Sequence, residues 1–218
     1  MQNTKKRISA VFKLLIFISA LVGIILQCGL FSGHPDFSVL TSFTLMSNMA
    51  CALYYLPAAI VQLRRDTPLL PRAKGAMIMC ISITGLVYQL LLSGRFEMQG
   101  TLLLSNTLLH IVVPVCSVLD WLIFDKKGYY TWKMPVYWLL APAAYFAFVM
   151  VAVKLGAHLG PYGEKYPYFF MDVDTLGFGT VLGIALAMCA CFYLLGLLLV
   201  LIDHRMARLS QRHAEDKC

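Results

Sequence analysis

Six apolar runs, at 8–31, 39–63, 75–93, 101–124, 134–156 and 175–202, take up most of the 218 residues. A bilayer-spanning helix needs about 20 such residues. In hydrocarbon the backbone must satisfy its own N–H and C=O groups, so spanning runs are helices or closed barrels. No stretch has the period-2 alternation of a membrane barrel. The runs therefore predict an all-α, polytopic membrane helix bundle with six transmembrane helices. Only 13% of residues are charged and the mean hydropathy is +0.74. A soluble domain carries about a quarter charged residues. There is too little polar sequence for a second domain, so residues 1–218 are read as one transmembrane unit.

The charge pattern sets the expected orientation. Of the 18 Lys and Arg residues, 15 fall at the N-terminus, in the second and fourth loops and in the tail. They are Lys5, Lys6, Arg7, Lys13, Arg64, Arg65, Arg72, Lys74, Lys126, Lys127, Lys133, Arg205, Arg208, Arg212 and Lys217. The other side holds Arg95, Lys154 and Lys165. Basic residues stay on the cytoplasmic side, which predicts both termini inside and a cell-membrane location. Because the charge lies in short loops between spans, the net +7 reads as a topology and lipid-surface signal, not as a nucleic-acid surface. Lys5, Lys6 and Arg7 before an apolar run resemble a signal peptide. The run is too long for one and lacks a small-residue cleavage site, so it is read as a retained first helix. Trp121, Trp132, Trp138, Tyr129 and Tyr130 are expected in an interfacial belt. The seven cysteines form no C-x-x-C pair and are read as small packing residues.

Polar residues inside a span have to face protein or water, which makes them candidate functional groups. In span 2, Thr44, Ser47, Asn48 and Cys51 share one face at i, i+3, i+4 and i+7. In span 4, Asn106 and His110 form an i, i+4 pair, and Pro114 frees the His110 carbonyl and bends the helix. Spans 2 and 4 run in the same direction. Thr44 lies roughly 7 Å into its span and His110 roughly 13 Å into its own, at 1.5 Å per residue. The two are therefore expected in one pocket opening to the outer leaflet. A hydroxyl nucleophile needs a base within hydrogen-bond reach and a group orienting that base. Thr44 and His110 fit the first two roles; Asp172, Asp174, Asn48 and Asn106 are candidates for the third. Asn48 and Asn106 are also candidate oxyanion donors, and Ser47 a supporting group. The run "YPYFFMD" supplies Tyr166, Tyr168, Phe169 and Phe170 as a candidate substrate lid. Asp120 is too far along span 4 to reach Thr44 and is expected to pair with Lys126 or Lys127, or to end the helix.

Such a site would take an amphiphilic lipid from the outer leaflet, with a lipid ester as the natural substrate and no cofactor. Two other readings stand beside it. One is a non-enzymatic membrane protein that binds lipid or organises partners. The other is a zinc hydrolase using His34, His110, His158, Asp172 and Asp174, although no H-x-x-x-H or H-E-x-x-H pair is present. A haem held between two membrane histidines lacks its second histidine, and a transporter's two related halves are not visible.

Three stretches carry a family resemblance: "SFTLMSN" (42–48), "LLHIVVPVCSVLDW" (108–121) and "YPYFFMDV" (166–173). With six helices and cytoplasmic termini, the chain resembles the androgen-induced and androgen-dependent TFPI-regulating membrane proteins, and more closely their bacterial relatives. Eukaryotic members are threonine hydrolases of fatty acid esters of hydroxy fatty acids. The resemblance implies Thr44 as nucleophile and His110 as histidine, with the acid ten positions later at Asp120. The chain departs from that pattern at Ser47, where the eukaryotic proteins carry an acid, and by one residue in the spacing from histidine to proline.

Overall fold

The computed structural model describes residues 2–31, 33, 35–64, 68–95 and 99–215. Six helices long and apolar enough to cross a membrane stand among them. They are α1 (Gln2–Gln27), α2 (Phe43–Arg64), α3 (Pro71–Leu92), α4 (Gly100–Phe124), α5 (Met134–Lys154) and α6 (Phe178–Glu215). The protein is a multi-pass integral membrane protein of the all-α class. The predicted spans are correct in number and order. The largest difference is in α6, which runs past residue 202 to Glu215. Hydropathy ends where Asp203 and Arg205 begin, whereas the helix continues because its backbone bonds do not depend on side-chain polarity. His34, Arg65 and Lys217 lie outside the described residues.

Helix α1 packs along α2 and α4, and α3 closes the group against α2 and α4. Helices α5 and α6 pair with each other and lean on α3. Small residues bring α1 and α4 together. A Cβ on Gly23 would stand 2.6 Å from Leu109 Cδ2. Beside it, Ser105 Oγ lies 2.9 Å from the Gly23 carbonyl and 2.8 Å from Gln27 Oε1. Lipid tails are as apolar as leucine, so such close contacts and buried polar bonds, not hydrophobicity, hold membrane helices together.

The end of the bundle rich in basic residues is tied by buried charge. Lys13 of α1 lies 2.7 Å from Asp120 of α4 and donates to Ser9 Oγ at 2.9 Å. Lys74 of α3 lies 2.5 Å from Asp120 and 2.6 Å from Asp125. Lys13, Lys74 and Asp120 are each at most 1% exposed. This corrects two expectations. Asp120 pairs with Lys13 and Lys74, not with Lys126 or Lys127, and Lys13 and Lys74 are not solvated loop charges. Lys127 instead donates to the carbonyls of Trp121, Leu122 and Asp125 and closes the end of α4. The aromatic belt is also partly internal: Trp121, Tyr130 and Trp138 are buried, with Trp121 stacked on Tyr130 at 5.8 Å between centroids and Trp138 edge-on to Tyr130 at 5.2 Å, while Trp132 is exposed. Asp203 of α6 holds the loop before α5, accepting from the Gly128 and Tyr130 N–H groups at 2.9 and 3.0 Å.

Candidate active site

At the opposite end, the polar stripes of α2 and α4 face each other. Thr44 Oγ1 lies 3.3 Å from His110 Nε2. His110 Nδ1 lies 3.1 Å from the carbonyl of Asn106, one turn earlier. A carbonyl only accepts, so the bond assigns the ring proton to Nδ1 and leaves Nε2 to accept from Thr44. The Tyr88 ring of α3 stacks on His110 with centroids 4.2 Å apart, and its hydroxyl accepts from Asn106 Nδ2 at 2.5 Å. Three side of the ring are thereby fixed by helix α4 itself, by α2 and by α3.

The local backbone explains the placement. Residues Leu108–Val112 form a π-helical turn, and Pro114 follows it. Proline has no N–H to offer the His110 carbonyl four residues before it, so the ordinary α-helical bond is missing there. That carbonyl packs on α3, where a Cβ on Gly85 would be 3.2 Å away and would meet the Pro114 ring at 3.0 Å. A wide turn of this kind is frequent at functional sites because it rotates one side chain out of register. Here that side chain is His110.

Asn48, fully buried, donates to the Thr44 carbonyl at 2.9 Å and to the Leu109 carbonyl at 3.2 Å. Its bonds join α2 to α4 and hold the backbone on either side of the Thr44–His110 pair. Ser47 Oγ lies 3.0 Å from the Thr44 carbonyl and 2.7 Å from Thr84 Oγ1 of α3. The amide donors of Asn48 and Asn106 are therefore engaged with backbone and with Tyr88. The group bonded to His110 Nδ1 is the Asn106 main chain, not its side chain or a carboxylate. Asp172 accepts from Thr175 N and Oγ1 at 3.0 and 2.7 Å and caps the short helix Val173–Leu176. Those bonds from the Thr175 hydroxyl and N–H hold its carboxyl below the usual range. Asp174 pairs with exposed Lys165 at 2.7 Å. His158 Nδ1 lies 2.5 Å from the Gly163 carbonyl. Among the described residues no three of His, Cys, Asp and Glu converge as metal ligands. The zinc set weighed from the sequence is thus dispersed, with His34 outside the described residues.

Thr44 is also the inner wall of a cavity of about 260 Å³ between α3 and the α5–α6 pair. Ile83, Val87, Phe146, Ile184 and Met188 are among its apolar lining, and Thr44, Thr84, Tyr145 and Tyr168 are its hydroxyl-bearing lining residues. The loop before α6 closes one end: Tyr168, Phe170 and Met171 face the cavity, while Phe169 turns outward under the Arg95 guanidinium, 3.7 Å from its ring centroid. The Tyr168 phenol lies beside Thr44, and its burial pushes the hydroxyl above its ordinary pKa, so it stays neutral and able to donate.

Sequence reasoning paired Thr44 with His110 but missed Tyr88, Thr84 and Tyr145. Tyr88 and Tyr145 are aromatic residues in apolar helices, where nothing in the spacing says which neighbour they touch. Thr84 follows the same i, i+4 rule as its partners, bonding back to the Cys80 carbonyl at 3.2 Å. Comparison with protein-family models, with curated proteins and with solved structures finds no match for the chain.

Proposed function

We propose that this membrane protein hydrolyses a lipid ester, with Thr44 as nucleophile and His110 as general base. The observation that carries the reading is the 3.3 Å approach of Thr44 Oγ1 to His110 Nε2 at the wall of an apolar cavity. As Oγ1 bonds to the ester carbonyl carbon, Nε2 takes its proton. The imidazolium then gives that proton to the departing alkoxide, leaving an acyl-threonine. Water, deprotonated by the same nitrogen, releases the acid and restores Thr44. The Asn106 carbonyl holds the Nδ1 proton throughout and so keeps Nε2 on the reacting side. Asn48 and Ser47 act as positioning residues on the Thr44 backbone.

The substrate is an amphiphile whose acyl chain occupies the cavity and whose polar part faces the loop before α6. Tyr168 and Phe170 serve as its cover, with Tyr166 and Phe169 on the outer side of that loop. The resemblance of "SFTLMSN" and "LLHIVVPVCSVLDW" to the threonine hydrolases supports the same two roles, and makes fatty acid esters of hydroxy fatty acids the first class to offer. The orientation that fits the charge pattern places this end in the outer leaflet of the cell membrane and both termini in the cytoplasm.

Purified protein offered a panel of lipid esters should turn over at least one of them, with Thr44→Ala and His110→Ala each slower by about 100-fold or more. Both variants must first show a wild-type melting temperature in detergent. A fluorophosphonate should label the protein at Thr44, located by mass spectrometry. Unchanged turnover in both variants would overturn the assignment. Absence of both labelling and turnover would leave the cavity to a non-enzymatic lipid-binding protein.

A further inference from the structure

The proposed chemistry names a nucleophile and a base but no group for the ester carbonyl oxygen, since the donors of Asn48 and Asn106 are engaged elsewhere. The Tyr145 hydroxyl is different. Tyr145, on α5, is 8% exposed, lines the cavity, and its hydroxyl is buried without a hydrogen-bond partner. A buried hydroxyl left unbonded is a cost to folding, and native proteins rarely accept one without a use. Its ring packs edge-on against Phe43, with centroids 5.3 Å apart. The first turn of α2, at Phe43 and Thr44, and the Tyr168 phenol lie next to it without completing a bond. This is the start of a 22-residue helix, where the first N–H groups have no partner within the helix. One edge is already closed, as Ser42 Oγ accepts from Leu45 N at 3.2 Å. Phe43 and Thr44, at that turn, line the cavity together with Tyr145 and Tyr168.

We propose that Tyr145 and Tyr168, with the first-turn N–H groups of Phe43 and Thr44, bind the carbonyl oxygen of an acyl ester whose chain fills the cavity. This deepens the reading of Thr44 as a nucleophile and rests on it for the reaction, though not for the binding. The oxygen lies beside the attacked carbon, so the same donors receive the charge as it develops there. Donors of this kind act in the transition state more than in the ground state, and losing one costs about 10²- to 10³-fold in kcat. The phenol oxygen of Tyr145 has no completed bond to lose, only the nearby Tyr168 phenol and Phe43 backbone, so its removal weakens ligand binding more than it weakens the fold.

The test uses the full chain in lipid nanodiscs, in a Thr44→Ala background that cannot turn over. Binding of three probes of equal chain length is measured by displacement of a fluorescent fatty acid: a methyl ester, the free acid and the alkane. Tyr145→Phe and Tyr168→Phe should each weaken the ester about tenfold and leave the alkane unchanged, and Tyr145→Phe should keep the melting temperature at or above that of the parent. An unchanged ester affinity in both variants overturns the proposal. So does an equal loss for the alkane, which means repacking, or a loss confined to the free acid, which means a carboxylate site. With Thr44 restored, turnover separates the two readings. Wild-type hydrolysis that ignores both Phe substitutions removes the carbonyl site and keeps the hydrolase. Ester binding that depends on Tyr145 in a protein with no turnover removes the hydrolase and keeps the site.

Discussion

Lys74 shows how much a single side chain carries in this protein. Its ammonium faces Asp120 and Asp125 within 2.6 Å, and it is completely buried beneath the rings of Tyr54 and Tyr55. Removing one partner of such a group leaves the others charged and out of water. Lys74→Met should cost about 3–5 kcal/mol, read as unfolding in mixed detergent. Adding Asp120→Asn in the same chain should recover part of that loss, because the buried cluster then returns to zero net charge, with Lys13 left facing Asp125 at 3.8 Å. An additive loss in the double variant would refute the coupling. The same residue marks the limit of reading charge from sequence. Lys13 and Lys74 sit at span ends, where topology signals sit, and nothing local distinguishes a solvated lysine from one paired across three helices. His110 was legible for the opposite reason: an ionisable ring in an apolar run stands out wherever it points.

At the scale of the helix, the feature that matters is the wide turn Leu108–Val112 in α4 and its fit against α3. Helix α3 answers with a π-helical turn of its own, Tyr88–Leu92, and Tyr88 at its start meets His110. Gly85 sets the distance between the two. A methyl group there would press on a proline ring and a backbone carbonyl, neither of which can yield by changing rotamer. Gly85→Ala should therefore destabilise by about 1–3 kcal/mol, the ordinary cost of overpacking, and should displace Tyr88 from the histidine. Thermal unfolding in detergent measures the first effect, and loss of fluorophosphonate labelling at Thr44 the second. Retained stability with full labelling would show that α3 gives way freely. Pro114 made the bend predictable, and the i, i+4 spacing put Asn106 beside His110. The wide turn itself was not readable, because a proline permits either a kink or a π-helical turn and the spacing does not say which.

Across the whole molecule, α1 and α3 begin, and α4 and α6 end, on the side of the bundle that holds Lys13, Lys74 and Asp120. Reporter fusions should place the N-terminus and the C-terminus in the same compartment, the cytoplasm. A reporter exported from either end would overturn the orientation drawn from the charge pattern. The number and order of the helices were open to sequence reading because hydrocarbon permits so few backbone conformations. Their neighbours were not: the leaning of the α5–α6 pair on α3, beside the cavity, depends on shape at contacts such as Gly75 of α3 with Trp138 of α5. Tyr145 entered the site by that packing alone.

The buried lysines and aspartates also divide the bundle mechanically. Ions that water does not reach are screened little by added salt. The end they clamp should stay stiff at high ionic strength, while the end holding the cavity, walled by apolar side chains, is free to breathe sideways into the acyl region. Turnover should then change little up to about 1 M salt, where the screening length is near 3 Å. It should instead follow the thickness and acyl packing of the surrounding bilayer. The protein would then sense its membrane through the same cavity in which the proposed ester binds.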